Sequence, residues 1–338
     1  MAYTRRSRMD YYSGKLLEKC VAADLEVLDR VEPDLVVGDF RWTMSISAEI
    51  RRVPYCSILN TLWTNYYDGV RSVPEGLLLR RIIGKRAVAA IGPMVKGILS
   101  WMWARPFNRY RKRLGLPPRA NLIDHIYGDL NLLPDLARLF PTRDDLPANF
   151  HRVGPIFWKG GKTSDPKRLP APSDRPLIYA SIGSTGTDLF LQRLFEGLGS
   201  LDIDVVMSTG GQPLPGQPPR NFHCLDLVAP EDVLPHAALA VCHGGNGTVY
   251  QCLSYGVPVL GIATHIDQQW NLDRVADCGV GWRFTEENVT SKDIRSCVRA
   301  VIDEPQWRQS AVEIGREINA ADGAAQAARV ISDWLASR

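Results

Sequence analysis

The chain has 338 residues, 45% hydrophobic and 23% charged, with a formal net charge of +3. That length accommodates two hydrophobic cores and that balance is ordinary for a globular protein, while so small a charge surplus argues against a nucleic-acid partner. Cysteines at 20, 56, 224, 242, 252, 278 and 297 form no Cys-x-x-Cys pair, which reads as reduced thiols rather than a disulfide framework.

Met1–Asp10 is basic and polar and lacks the apolar core of a secretory signal, so a cytoplasmic location is expected. Residues 13–31 carry Leu16, Leu17, Cys20, Val21, Leu25 and Leu28 near helical spacing, and Pro33 ends that helix. Residues 34–39 (Asp-Leu-Val-Val-Gly-Asp) read as a buried strand, 43–51 as a helix and 53–59 as the next strand. This strand–helix–strand unit favours a parallel sheet. Residues 70–116 are helical and basic: 71–113 hold 11 Lys or Arg against one acid, Glu75, interleaved with Leu77–Leu79, Ile98, Trp101 and Trp103. The segment either lies on an anionic bilayer or packs as helices with a solvated basic face. Its most apolar stretch, 87–104, carries Pro93 and Lys96 and is too short to span a membrane. Strand-like pieces return at 131–135 and 150–155.

Residues 159–176, rich in Gly, Lys, Ser, Asp and Pro, read as a linker between domains 1–158 and 177–338. Beyond it, strands at 177–182, 203–208, 221–225, 238–242, 257–262 and 280–284 alternate with helices at 188–199, 231–236, 247–255, 268–278 and 291–303. Two further helices, 306–319 and 323–336, close a doubly wound α/β domain.

The most informative run is His243-Gly244-Gly245-Asn246-Gly247-Thr248, directly after the apolar strand Ala238–Cys242. Two glycines turn the chain sharply into a helix start, whose unpaired N–H groups and positive dipole end make an anion site. His243 adds a side-chain donor. Ser181-Ile182-Gly183-Ser184-Thr185-Gly186 ends another strand, either as a second anion loop or as a capped glycine turn. Asp267 and Gln268 follow a third strand, where they either bond sugar hydroxyls or, for Asp267, cap the next helix. Neither paired carboxylates nor metal-ligand spacing is present in the sequence, so no metal is expected.

Together His243-Gly244-Gly245, Gly256-Val257-Pro258 and Asp267-Gln268 resemble the donor signature of the inverting UDP-glycosyltransferases of the GT-B fold. The resemblance implies two Rossmann-like doubly wound domains facing a cleft. It also implies a UDP- or dTDP-sugar donor, a small-molecule or lipid acceptor, and no cofactor beyond the donor. His243 then contacts donor phosphate with Gly244, Gly245, Asn246, Gly247 and Thr248. Ser181, Gly183, Ser184 and Thr185 correspond to the family's glycine-serine loop. Val228 and Ala229, in Leu227-Val-Ala-Pro230, line the nucleobase, unless that piece is a plain surface loop. Gln251 stands where many members carry a ribose-binding Glu.

The family's general base is a His in a Gly-His loop after the first strand, held by an Asp at a later strand end. Asp39 falls on that orienting Asp, or is a strand-end cap, but the Gly-His loop is missing, so the first domain is expected to be incomplete. His125 and His151 sit in the wrong context to replace that base. Trp63, Tyr66 and Tyr67 either line an acceptor pocket or belong to the core. Two alternatives stay open: a nucleotide-sugar-binding protein impaired in catalysis by the missing loop, and a GT-B epimerase acting on UDP-GlcNAc, which would need several acids around its site.

Overall fold

The computed structural model describes residues 14–72, 97–98, 100–158, 160, 169–170, 173–183 and 187–338. Most of the linker expected at 159–176 and much of the basic segment fall outside them. The chain divides into two units. One comprises Met1–Gly69, Gly76–Val153 and Ala324–Arg338, the other Val70–Glu75 and Gly154–Gly323.

In the first unit, α1 (Gly14–Val31) precedes the strand β1 (Val36–Asp39), the helix α2 (Met44–Arg51) and the strand β2 (Tyr55–Ile58). A helix over 100–113, here α3, follows, and then β3 (Leu130–Leu133) and β4 (Phe150–Arg152). The strands form one parallel sheet in the order β1-β2-β3-β4. Of the apolar stripe read in α1, Leu17, Val21 and Leu28 are buried, whereas Leu16 is 40% exposed; Leu17 and Val21 pack with Ile46 of α2 and Phe107 of α3. β1 departs from the expected buried strand. It is the outer strand among the described residues, and Val37 is 46% exposed while Asp39 is exposed at its end.

A buried carboxylate ties α1 to the turn after β1. Asp24 of α1 accepts hydrogen bonds from Arg41 (2.6 Å), from the Thr43 hydroxyl (2.5 Å) and from the Ser47 hydroxyl (3.2 Å). A buried carboxylate left unpaired would be costly, so this network fixes the turn between β1 and α2 to the helix beneath it.

In the second unit, β5 (Leu177–Ser181), α4 (Asp188–Leu198), β6 (Asp204–Ser208) and β7 (Phe222–Leu225) are followed by the short α5 (Pro230–Val233). Then come β8 (Ala237–Cys242), α6 (Asn246–Ser254), β9 (Val259–Ala263), α7 (Ile266–Asp277), β10 (Gly281–Thr285), α8 (Ser291–Asp303) and α9 (Gln306–Ala320). The last helix, α10 (Gly323–Ala336), groups with the first unit from Ala324 onward. All six strands are parallel, in the order β10-β9-β8-β5-β6-β7. A continuous core fills one face of the sheet: Ile178, Val205, Leu239 and Leu260 from the strands meet Phe190 and Leu194 of α4 and Ile294 of α8. The near-continuous apolar runs of these strands follow from burial on both faces. The chain winds outward in both directions from β5 and β8. That adjacent pair is the switch point at which open α/β sheets take their ligands, beyond the carboxyl ends of the strands.

His125 is fully buried in the first unit, stacks on Phe107 at 5.0 Å, and has no hydrogen-bond partner on either ring nitrogen. Burial first, and then the charges of Arg111 and Arg119, push its pKa from 6.5 to about 3. The unfolded chain therefore takes up a proton that the fold refuses. Stability should fall as pH drops from 6.5 toward 3, by up to about 1.4 kcal/mol per pH unit from this group. His125→Phe preserves the ring packing and is expected to flatten that slope in urea titrations; an unaltered slope would show that the site does not exclude the proton.

Candidate functional site

Ser181 at the end of β5 lies in register with Cys242 at the end of β8, so the loops that follow the two strands emerge side by side at the switch point. Between them stands His243. Gly183, at φ +59°, packs against one side of its ring: a Cβ there would lie 2.4 Å from Cε1 and 2.8 Å from Nδ1. Gly245 packs against the same ring, where a Cβ would lie 2.6 Å from Nε2. Nδ1 is buried without a partner in good hydrogen-bond geometry, and Nε2 is the nitrogen not so enclosed. Burial pushes the imidazole pKa down, against Asp267 and the Ser181 main chain, which pull it upward. The ring is thus neutral near pH 7, and can donate from one nitrogen.

The glycines of the motif have distinct tasks. Gly244 adopts φ +86°, and a Cβ on it would meet Leu272 Cδ1 at 2.5 Å. Gly244 and Gly245 are therefore required by the protein's own packing. Gly247 differs: a Cβ on it meets nothing within 4 Å, so open space lies before the first turn of α6. The helix begins at Asn246, with Gly245 as an N-cap that supplies no side chain. The Gly247 and Thr248 N–H groups make no hydrogen bond within the described residues and face whatever occupies that space. Asn271 holds the turn by donating to the Gly244 carbonyl at 3.1 Å.

The start of α7 is closed instead. Its N-cap is His265, with Asp267 half-buried in the first turn, so Asp267 is not the cap. The Gln268 amide oxygen accepts from the main chain of Thr264 (2.9 Å) and His265 (3.2 Å) and from the Thr264 hydroxyl (3.0 Å). Gln268 therefore has a structural task in a capping box, and Asp267 is the more available polar group. Ser72, inside the segment read as a basic zone of the first domain, docks on this helix: the Trp270 indole donates to its carbonyl at 2.9 Å and Gln269 to its hydroxyl at 2.6 Å. Nothing in local sequence spacing announces that docking, because the partners are about two hundred positions apart.

In the β5–α4 loop, Thr187 caps α4 by accepting from the Phe190 N–H at 3.2 Å, while Ser184 and Thr185 lie outside the described residues. Val228 and Ala229 are buried, and the Val228 N–H donates to the Ser208 hydroxyl at 3.3 Å. Leu227 beside them is 62% exposed, an apolar surface at a strand's carboxyl end. Gln251 donates from its amide to the Trp158 carbonyl at 2.9 Å. A carboxylate at that position could not donate this hydrogen bond to the carbonyl.

In the first unit, Asp39 takes no hydrogen bond from another described residue, and partial desolvation at the strand end raises its pKa. Phe40 immediately after it holds φ +47°, unusual for a bulky side chain. Its ring sits edge-on to Trp42 and Trp63, at 5.4 and 5.2 Å. Trp63 and Tyr66 are half-buried, whereas Tyr67 belongs to the core. Neither other histidine of this unit replaces a base: His125 is sealed in the core and His151 lies within β4. A cavity of about 370 Å³ lined by Glu49, Arg52, Arg119 and Asp129 opens at the amino ends of β2 and β3, opposite the ends that bear Asp39 and Trp63. Among the described residues no cluster of three or more His, Cys, Asp or Glu is placed to hold a metal ion. All seven cysteines are free, and burial pushes the Cys56 and Cys297 thiols up to about 12.

Residues 192–332 match the family model described as the C-terminal domain of Erythromycin biosynthesis protein CIII-like proteins. A PGL/p-HBAD biosynthesis rhamnosyltransferase of Mycobacterium bovis (strain BCG / Pasteur 1173P2) is 33% identical over 306 residues, covering 90% of this chain and 68% of that protein. The crystal structure of the glycotransferase of kitacinnamycin superposes with a TM-score of 0.72 at 20% identity, over 98% of this chain and 84% of its own. The glycosyltransferase VinC, solved in complex with dTDP, superposes with a TM-score of 0.61 at 20% identity, over 94% and 79%. The chain belongs to the GT-B-fold UDP-glycosyltransferase family, enzymes that transfer a hexose from a nucleotide sugar.

Two glycine substitutions separate internal packing from ligand space. Gly183→Ala drives a methyl into His243 at a strained φ, and is expected to lower stability by about 1–3 kcal/mol. Gly247→Ala should leave stability equal or improved, since Ala is the better helix former by up to about 1 kcal/mol, yet weaken nucleoside diphosphate binding by filling the space ahead of α6. Thermal unfolding and calorimetry on both variants read this directly, and full affinity in Gly247→Ala would place the ligand elsewhere.

Proposed function

We propose that the protein transfers a sugar from a UDP- or dTDP-linked donor to a small-molecule or lipid acceptor, with inversion at the anomeric carbon and without a metal or further cofactor. The observation that carries this reading is the uncapped start of α6 beside His243 at the β5/β8 switch point. The donor pyrophosphate lies against the Gly247 and Thr248 N–H groups and His243 Nε2, and Asn246 completes the turn. Asp267 bonds hydroxyls of the transferred sugar, the oxygen of the Gln251 amide faces the ribose, and the loop at Leu227–Ala229 borders the base.

Chemically, the acceptor oxygen attacks the anomeric carbon as the bond to the diphosphate oxygen breaks. Negative charge grows on the leaving diphosphate, where fixed N–H dipoles stabilise it without reorganising. The acceptor proton must leave to a base. Asp39 is suited to hold a base imidazole: its carboxylate is partly desolvated and takes no hydrogen bond among the described residues, a state that a donated ring N–H would relieve. The 338 residues contain no Gly-His pair to provide that ring. Phe40, Trp42 and Trp63 offer an apolar, aromatic border for an acceptor beside Asp39. Similarity to a rhamnosyltransferase over most of the chain favours neither the epimerase nor the binding-only alternative. No helix among the described residues is long and apolar enough to cross a membrane. We place the protein in the cytoplasm, with peripheral contact to the inner membrane face through the basic segment 71–113.

His243→Ala removes a charge-assisted donor from a desolvated phosphate and is expected to weaken UDP or dTDP binding roughly 10- to 100-fold. Titration calorimetry measures this, and unchanged affinity would remove His243 from the donor site. Where turnover is observed with an aglycone, NMR of the product should show an anomeric configuration opposite to the donor's.

A further inference from the structure

We infer that the outer face of α3 seats the protein on an anionic phospholipid surface. This deepens the membrane contact proposed above by assigning it a helix face and a lipid charge. Ala104, Phe107 and Arg111 turn one side of the helix into the first unit and are buried. The opposite side carries Trp101, Met102, Arg105, Arg109 and Lys112, and Ile98 lies on the same side in the turn just ahead, all at the spacings of three and four that share one helical face.

The chemistry along that face is ordered. Ile98, Trp101 and Met102 are 52%, 55% and 47% exposed, an apolar and aromatic group left to solvent at the amino-terminal end. Arg105, Arg109 and Lys112 are exposed at the carboxyl-terminal end. Arg105 lies over the Trp101 ring at 5.0 Å and so joins the two halves. Residues 97–113 contain neither Asp nor Glu, so no acid of the helix itself offsets these cations. Buried Arg111 is already engaged by Glu49 at 2.6 Å, and Arg113 pairs with Glu18, so these two cations serve the fold. Arg109 and Lys112 make no ion pair with another described residue and present their charge outward.

An indole with a polar edge, a flexible thioether and a branched aliphatic chain suit the boundary between headgroups and acyl chains, with adjacent guanidinium and ammonium groups among lipid phosphates. A second protein would also cover apolar surface. The lack of any acid in so cationic a helix specifies a strongly anionic, laterally extended partner, and that is a phospholipid surface. Such contact would bring an apolar acceptor and the enzyme to the same surface.

The test is co-sedimentation of the full chain with phosphatidylcholine vesicles, with and without phosphatidylglycerol. Binding is expected only with phosphatidylglycerol, weakening as salt rises. Arg109→Gln with Lys112→Gln should weaken partitioning about 25-fold, at roughly five-fold per basic residue near an anionic surface. Trp101→Ser should weaken it about ten-fold or more through lost apolar burial. Nucleoside diphosphate affinity, measured on the same variants, should be unchanged, so a failure of the donor site is read separately from a failure here. Absence of vesicle binding by the unmodified chain, equal binding to uncharged vesicles, or variants that partition like the parent would each overturn the inference. So would loss of self-association in Trp101→Ser with no vesicle binding at all, which would assign the face to a second copy.

Discussion

The donor half of this molecule depends on one contact: an imidazole held against two glycines at the point where the sheet's winding reverses. His243 has its position because Gly183 and Gly245 both pack closely against the ring, and neither position accepts a Cβ without displacing it. Those two glycines come from loops after β5 and β8, adjacent strands in register. The sheet order therefore brings the loops together, the glycines permit the approach, and the approach leaves one ring nitrogen beside an uncapped helix start. Leu272 of α7 packs against Gly244 and also against Gly261 of β9, so the turn, the neighbouring strand and the next helix are mutually fixed. A site built this way meets its desolvation cost during folding and would present fixed dipoles to the diphosphate of the proposed donor.

Much of this was legible in the residues themselves. The helices at 14–31 and 291–303 and all six strands of the second unit follow from apolar periodicity and from runs bounded by Gly and Pro, with ends moved by only one or two residues. Local rules worked because the strands are short, the central ones are buried along their length, and most are separated by an amphipathic helix. The site motif was legible for a related reason: strand, Gly-Gly turn and helix start are contiguous in the chain.

What was not legible is what depends on distant partners. Glycines 244 and 245 read as a sharp turn into a helix start, but that Leu272 and His243 occupy the space of their Cβ atoms is a property of the assembled unit. Of the two readings of Asp267, sugar contact or helix cap, the cap is excluded: the helix starts at Ile266 and Gln268 closes a capping box on His265. Asp24 gave no signal within α1 that it would anchor Arg41, Thr43 and Ser47, and β1 gave none that it would be an outer strand. The Phe40 strain adjacent to Asp39 is likewise a property of the assembled unit: the Asp24 network fixes the turn and the aromatic cluster holds the ring. That strain marks the carboxyl end of β1 as a place where geometry is kept at the expense of local comfort.

The central claim, that a donor pyrophosphate rests on the first turn of α6 beside His243, is tested most directly by backbone amide NMR during titration with UDP or dTDP. The account predicts that the Gly247 and Thr248 amide protons move downfield together, as new charge-assisted hydrogen bonds form, and that the His243 ring signals shift with the same binding curve. Saturable binding that leaves those amides and that ring unperturbed, with shifts confined to other strand ends, would contradict it.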